Sequence, residues 1–446
     1  MAKEQTFKLH PKLAKAQAAL EKRMSLDDII VKPSFNQEFI NTGSTIFNLL
    51  IGGSRLPNGQ FVCPGWPKGT MVEVFGRESS GKSTIALTAM GQALQLNNGT
   101  GCGVYVDLEH AVKDNYAARL GCDFRTPQLG GHGRAIRVAP HYFEETEQIV
   151  NHYASVGVDL IVVDSVAGLV SKRELNRDTT KDSVSVAEIP RLMSQWLPKL
   201  QAIIAKTKTT VIFINQTRDK IGAMGYNEEV VKSTTGGNAL KFWASLRILL
   251  QPKQQAKAKR YNPITKEEEE VPVSTDVLIK MVKNKIDARQ GHTGMVTVRY
   301  GVGMDELRTM LNVATAYKVV RMEKNARKQE VYTFKSPGGH GTIESIGIEK
   351  FRFQLQRNQK AYMEMLGLAT DCIIQGFKAI DDEELAQLAE DAVVTSMEDP
   401  NDPGDDYARI AEEPEVTAAV AGVDYDKDLL DEDSTVSTGP SAEDLA

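Results

Sequence analysis

An α/β fold built on a largely parallel sheet follows from three features of the sequence. Near-continuous apolar runs recur at 70–75 (TMVEVF), 102–107 (CGVYVD), 158–164 (VDLIVVD) and 209–214 (TTVIFI), as strands covered on both faces require. Longer stretches between them contain helical segments at 82–97, 142–156 and 186–206, and this alternation layers helices on both faces of the sheet. A glycine-rich turn joins the first run to the first helix, so ligands are expected at the carboxyl ends of the strands.

Taken in order, residues 6–30 are rich in helix formers and space Leu13, Ala16, Leu20 and Met24 as a short amphipathic arm able to dock on a neighbour. Between Pro33 and Gly69, frequent glycine and proline predict loops around short apolar stretches. After the four central strands, further strands are expected at 244–250, 275–282 and 294–300, then a smaller mixed region over 301–379. The domains drawn from this are 1–69 (arm and connection), 70–300 (core), 301–379 (a small α/β C-terminal domain) and 380–446 (tail). The tail holds 22 acids against Arg409 and Lys427, a charge of -20, so the remainder of a chain totalling -6 carries +14. A body this basic attracts an anionic polymer, and the tail either competes with that polymer or simply keeps the protein solvated. Pro400, Pro403, Gly404 and Pro414 among the acids make most of the tail read as disordered.

The chain's 446 residues and 41% hydrophobic content suit two or three domains. No apolar run approaches the roughly 18 residues of a membrane span, and the N-terminus is too polar for a signal peptide, so the cytoplasm is the expected compartment. Cys63, Cys102, Cys122 and Cys372 form no CxxC pair, which argues against zinc knuckles and disulfide scaffolds.

GRESSGKST at 76–84 satisfies GxxxxGK[ST] in the right context, a strand before and a helix after. Gly76, Arg77, Glu78, Ser79, Ser80, Gly81, Lys82, Ser83 and Thr84 are therefore expected to cradle the phosphates of ATP, with Lys82 on the β- and γ-phosphates and the Ser83 hydroxyl on Mg²⁺. Asp164 closes a buried strand, where a carboxylate reaches the Mg²⁺ shell through water, with Ser165 behind it. Glu109 is the candidate base for the attacking water, against the plainer reading of a helix-start carboxylate. Gln216 ends the run VIFINQ, where an amide can sense the γ-phosphate.

These blocks, with VDLEHA at 106–111, VVDS at 162–165, MSQ at 193–195, FINQ at 213–216, TTGGNALKFWAS at 234–245 and VKNKI at 282–286, resemble bacterial RecA in the same order over about residues 40–300. The arm, the diverged C-terminal region and the acidic tail look more like a phage-encoded, UvsX-like member. The resemblance implies a RecA-type ATPase core and a helical filament on single-stranded DNA. Its activity would be ATP-dependent pairing and strand exchange with homologous duplex in recombination and repair, helped by single-strand-binding and loader proteins. It implies Glu109 as the catalytic glutamate and Tyr116 as the aromatic stacked on adenine. Lys283 and Lys285 become cations reaching the γ-phosphate bound by the neighbouring subunit, so hydrolysis would depend on polymerisation.

By the same resemblance, DNA meets two loops. The first, 171–183, carries Lys172, Arg173, Arg177 and Lys181, nearly cancelled by its acids. The second, Thr217 to Gly237, carries Arg218, Lys220, Gly222, Met224, Tyr226, Gly236 and Gly237, with glycines that admit phosphates and an apolar residue to wedge between bases. Gln216 joins this loop to the γ-phosphate site, so ATP binding would order it. Arg191, Ser194 and Asn238 also match DNA-facing or interface positions. The sequence departs from the bacterial pattern in a second loop about three residues longer, in Gly225 where that pattern has phenylalanine, with Tyr226 as its expected replacement, and in Pro198 where it has arginine. Pro198 removes a cation and is expected to kink or end its helix. Lys241 and Phe242 are expected at the subunit interface, with a core position as the other reading for Phe242. A ring helicase, a small-molecule kinase or a non-catalytic filament protein on the same core are the rival functions; Glu109, Lys283 and Lys285 argue against the last.

Overall fold

The computed structural model describes residues 12, 13, 15, 18, 20, 37–54, 61–176, 188–219, 232–234, 237–262, 266–287 and 290–376. The chain divides into Met1–Gln37 and Glu38–Ala446. In the first unit Lys12, Leu13, Lys15, Ala18 and Leu20 are helical and exposed, while Ala16 and Met24 of the expected arm lie outside the described residues.

The second unit opens with more order than its glycines and prolines suggest. Strand β1 (Phe39–Ile40), helix α1 (Thr45–Gly52) and strand β2 (Trp66–Pro67) form there, β1 pairing antiparallel with β2. Phe47 of α1 meets Trp66 edge-on at 4.8 Å, and this buried aromatic pair anchors the segment. The core follows as β3 (Met71–Gly76), α2 (Lys82–Ala93), β4 (Gly103–Asp107), α3 (Asp114–Arg119), β5 (Ala135–Val138), α4 (Phe143–Val156) and β6 (Leu160–Asp164). Helix α2 stops at Ala93, short of the expected 97, and Asn97 and Asn98 then take left-handed backbone, which asparagine tolerates. Next come α5 (Lys172–Leu175), α6 (Glu188–Thr207), β7 (Thr210–Asp219), β8 (Lys232–Thr234), α7 (Ala239–Trp243), β9 (Leu246–Asn262), β10 (Glu267–Asn284), β11 (Thr293–Arg299) and β12 (Gly303–Met304).

One ten-stranded sheet in the order β12-β11-β10-β9-β3-β7-β6-β4-β5, with β8 on β7, organises these elements. From β9 to β5 the neighbours run parallel, whereas β10, β11 and β12 are antiparallel, only four residues separating β9 from β10, too few for a crossover helix. Strands β9 and β10 are far longer than the expected 244–250 and 275–282. They run on as a two-stranded ribbon in which Glu267–Glu270 face Asn262–Lys259 in register and Lys257 bonds Glu270 at 3.4 Å. Charge rather than apolar alternation fills that ribbon, which is why a hydrophobic pattern misses it.

One face of the sheet buries Val72, Val74, Ile212, Ile214, Ile248 and Leu250 with residues of α2, and the other buries Met71, Val211 and Phe213 against α4 and α6. Trp196 of α6 centres the second layer, edge-on to Phe143 at 5.5 Å and Phe213 at 5.8 Å, with its Nε1 donating to Asn151. This packing carries α6 straight through Pro198, so the expectation that proline ends the helix is corrected: Met193, Trp196, Leu197 and Leu200 are buried on both sides of it.

Both expected loops narrow. Ser171 caps α5 by accepting from Glu174 N, so Lys172 and Arg173 are helical; Arg177 and Lys181 lie outside the described residues. Thr217, Arg218 and Asp219 belong to β7 and pair with Thr234, Ser233 and Lys232, leaving Lys220, Gly222, Met224, Gly225, Tyr226 and Gly236 outside the described residues.

Beyond the sheet, α8 (Glu306–Ala316), β13 (Arg321–Lys324), β14 (Glu330–Lys335), β15 (Thr342–Ile346), α9 (Ile348–Arg357) and a helix over 359–376 form a small mixed layer. Its three strands are antiparallel, and Tyr332, Phe334 and Ile343 bury one face against Phe351 and Leu355. The tail lies outside the described residues.

Candidate active site

Strand β3, buried throughout, delivers Gly76 to the phosphate loop beside β7 and β9. A Cβ on Gly76 would stand 2.5 Å from Leu250 O, and Gly81 has φ +85°, so both positions need glycine. Helix α2 starts at Lys82, directing its first N–H groups into the loop. The Lys82 ammonium is buried and donates to Gly76 O at 3.2 Å and Arg77 O at 2.6 Å. Burial pushes its pKa down, while Asp164, Glu109 and Glu78 pull it up. Ser80 Oγ is buried without a protein partner, an orphaned donor inside a loop shaped for phosphate oxygens.

Asp164 ends β6 beside Asp107 of β4. Ser83 Oγ and Tyr105 OH both donate to Asp164 Oδ2, at 2.7 and 2.6 Å. Burial raises the Asp164 pKa, those two hydrogen bonds lower it, and Glu109 and Asp107 raise it further. The hydroxyl of Ser83 and the carboxylate of Asp164 are hard oxygen donors side by side, as Mg²⁺ requires. The residues present therefore fit ATP with Mg²⁺.

Glu109 sits on the turn after β4. Asp107 braces that turn by accepting from Ala111 N at 3.2 Å and Val112 N at 3.4 Å. One Glu109 oxygen, Oε1, accepts from both Ser165 Oγ and Gln216 Nε2, the latter at 2.9 Å. Glu109, Ser165 and Gln216 thus form one cluster, just past the ends of β4 and β6 and within β7, next to the phosphate loop. Tyr116 is half-buried on α3, its hydroxyl 2.8 Å from Thr84 Oγ1, which holds its ring beside the start of α2.

Lys283 and Lys285 are not in that cluster. Lys283 pairs with Arg247 and Asn284 with Leu246, which in turn faces Val72, while Gly76 faces Leu250. Four residues of strand, roughly 13 Å, separate those levels, so both lysines lie toward the ends of the strands opposite the loop. There Lys283 Nζ donates to Lys241 O at 2.7 Å and Phe242 O at 3.0 Å. Phe242 is 71% exposed, which overturns its reading as a core residue. Lys241, Phe242, Lys283 and Lys285 therefore gather at that end of the strands.

Of the expected DNA contacts, the structure brings together the start of α6 and the start of α7. A Cβ on Gly237 would stand 2.9 Å from Pro190 Cβ, and Arg191 and Ser194 follow on the same turns of α6, both exposed. Ser194 Oγ donates to Pro190 O at 2.8 Å, and Lys241 Nζ donates to Asn238 Oδ1 at 3.1 Å. Arg173 is exposed on α5. Sequence reasoning missed Tyr105, Asp107, Asn215, Glu73 and Arg247; a tyrosine or a charged residue inside an apolar strand is the signal that could have found them.

The family model described as the RecA N-terminal domain matches residues 13–305. A protein of Mesoplasma florum named Protein RecA is 34% identical over 312 residues, 69% of this chain and 83% of its own. A Streptococcus sanguinis protein of the same name is 35% identical over 285 residues, 64% of this chain and 66% of its own.

Proposed function

Because the chain belongs to the RecA family, we propose how its residues divide the work of a DNA-dependent ATPase that forms filaments on single-stranded DNA and catalyses homologous pairing and strand exchange. The observation that carries the reading is the split of functional groups between the two ends of the strands of one sheet. The loop, Asp164, Glu109 and Gln216 stand at one end and Lys283 with Lys285 toward the other. A site divided in this way is complete only where two subunits meet head to tail, the contact that generates an open helical filament.

In this reading the loop from Gly76 to Thr84 and Lys82 hold the phosphates of ATP, and Tyr116 receives the base. Ser83 and Asp164 hold Mg²⁺, Asp164 through water, with Ser165 supporting. When bound, the ion neutralises charge that develops on the transferred phosphoryl oxygens. Glu109 orients the attacking water and accepts its proton, and Ser165 and Gln216 fix the carboxylate for that task. Gln216 exchanges Glu109 for the γ-phosphate and so reports nucleotide state to the segment it begins. Lys283 and Lys285 of the adjacent subunit stabilise the charge of phosphoryl transfer.

Arg191, Ser194, Gly237 and Asn238, with Arg173, Arg218, Lys220, Met224, Tyr226 and Gly236, hold the DNA backbone and splay the bases. Base pairing then reads homology. Residues 1–69 are the polymerisation arm and its connecting region, 70–300 the ATPase core, 301–379 the C-terminal domain and 380–446 the regulatory tail. No helix among the described residues is long and apolar enough to cross a membrane, and the cytoplasm is where we place the protein.

Turnover of ATP measured without DNA, with single-stranded DNA and with duplex, and with Lys82→Ala as control, tests this. Strong single-strand stimulation, lost on the order of 10²-fold or more in the variant, is expected. Turnover indifferent to DNA would overturn the reading in favour of another phosphoryl acceptor. Strand pairing with slowly hydrolysed ATP analogues separates a recombinase from a helicase, which needs hydrolysis to translocate.

A further inference from the structure

Glu73 is a carboxylate with no solvent exposure in the middle of β3, a strand buried on both faces where apolar side chains are the rule. Its two oxygens are divided between two neighbouring strands. Oε1 accepts from Asn215 Nδ2 of β7 at 2.9 Å, and Oε2 accepts from Arg247 Nε of β9 at 2.6 Å. On the β7 side, Asn215 Oδ1 accepts from Gln216 N at 2.9 Å, and Gln216 Nε2 bonds Glu109. On the β9 side, Arg247 is the register partner of Lys283, whose ammonium is held on Lys241 O and Phe242 O. The Arg247 guanidinium also lies 4.8 Å over the ring of Phe75.

A set of polar contacts therefore crosses β7, β3 and β9, from Gln216, the residue that senses the subunit's own nucleotide, to Arg247, and strand register places Lys283 of β10, the lysine that faces the next subunit, beside its end. A buried ion pair of this kind is often no more stabilising than apolar residues of the same volume. Stability is thus a poor reason for it, and its position suggests another. Arg247 and Lys283 are adjacent cations, and the Glu73 carboxylate offsets their repulsion. Burial, Lys285 and Arg247 push the Lys283 ammonium pKa down and Glu73 pulls it up, which marks the same balance.

We propose that Glu73, Asn215 and Arg247 are positioning residues that tie Gln216 to Lys283, so that the nucleotide state of a subunit's own site sets how it presents Lys283 to its neighbour's site. The inference rests on the division of roles proposed above. When Gln216 turns from Glu109 to a γ-phosphate, Asn215 pulls on one oxygen of Glu73, and the other oxygen loosens or tightens Arg247 beside Lys283. Coupling of this form is reciprocal, so a neighbour's nucleotide held by Lys283 favours the ATP-bound arrangement of Gln216 in return.

The test is ATP turnover by the full chain on single-stranded DNA in filaments mixed with Lys82→Ala subunits, their joint assembly read by energy transfer between labels. A Lys82→Ala subunit still offers its own Lys283. If nucleotide state and lysine are coupled through the subunit, a site works only when both its own and its neighbour's loop are competent, and an equal mixture retains about a quarter of full turnover. Without coupling it retains about half. Wild type is expected to follow the first curve and Asn215→Ser the second, since serine keeps a hydroxyl near Gln216 N yet cannot reach Glu73. Glu73→Gln with Arg247→Met, which removes both charges together and leaves neither buried alone, is expected to follow the second curve as well. Binding of Mg²⁺-ATP without DNA should stay within about twofold of wild type in each variant, which separates lost coupling from a damaged site. Variants on the quarter curve, or wild type on the half curve, would overturn the relay alone. Wild-type turnover that ignores single-stranded DNA would overturn the proposed function and the relay with it.

Discussion

Asp164 is a carboxylate held where its charge is penalised, and the penalty has a sign that can be measured. Its pKa in the folded chain lies above the ordinary aspartate value, so its contribution to stability is fully present below about pH 4 and is lost as pH rises through the raised value. Ser83 and Tyr105 both donate to Oδ2, and the amide oxygen of an asparagine can keep both bonds. Asp164→Asn is therefore expected to raise the melting temperature at neutral pH by about 2–4 °C, the effect of about 1 kcal/mol in a domain of this size. Its advantage over wild type should grow across that pH window and level off above it, as paired scans from pH 4 to 8 would show. Turnover should fall on the order of 10²-fold if, as proposed, the carboxylate holds Mg²⁺ through water. Glu109→Gln should leave ATP binding near wild type and lower turnover by about 10²–10⁴-fold, the range for a lost general base, in single-turnover assays. Lys82, Ser83, Asp164 and Gln216 are legible in the sequence because each sits at a fixed offset from a strand or glycine. Tyr105 is not, because only the register of β4 with β6 brings its hydroxyl to Asp164.

Helix α6 shows how packing outweighs a local preference. Pro198 deprives the Ser194 carbonyl of its helical partner, yet the helix runs from Glu188 to Thr207 because Met193, Trp196, Leu197, Leu200 and Ile204 are buried along one side. Pro198→Ala is expected to stabilise the fold by about 1–3 kcal/mol in urea titration, restoring that bond without disturbing the core. Trp196→Ala should cost about 3–5 kcal/mol by removing the ring between Phe143 and Phe213. The central strands were legible as apolar runs, but the β9–β10 ribbon was not. Its partners are matched by charge, Lys257 with Glu270, and by a register that no periodicity within either strand reveals. For the same reason, Arg218 read as loop although Thr217–Asp219 extend β7 in a pairing with β8.

Across the whole molecule, charge is sorted between body and tail, and functional groups between the two ends of the sheet's strands. Lys285→Ala is expected to lower single-strand-stimulated turnover by about 10³-fold or more while leaving DNA-free nucleotide binding intact, because the subunit's own loop stands toward the other end of the strands. Deleting 380–446 should raise duplex affinity and steepen its dependence on salt if the tail competes for the basic surface; binding isotherms at several salt concentrations that stayed superimposable would leave the tail a solvating segment. By itself the sequence determined the parallel core, the phosphate-loop motif and the residues proposed to bear the chemistry, since apolar runs and short fixed spacings are local properties. Only the tertiary structure decided that Phe242 is exposed, that Glu109 is gripped by Ser165 and Gln216, and that Glu73 links Asn215 to Arg247. Those relations join residues far apart in the chain, and they exist only once strand order and register have set which side chains meet.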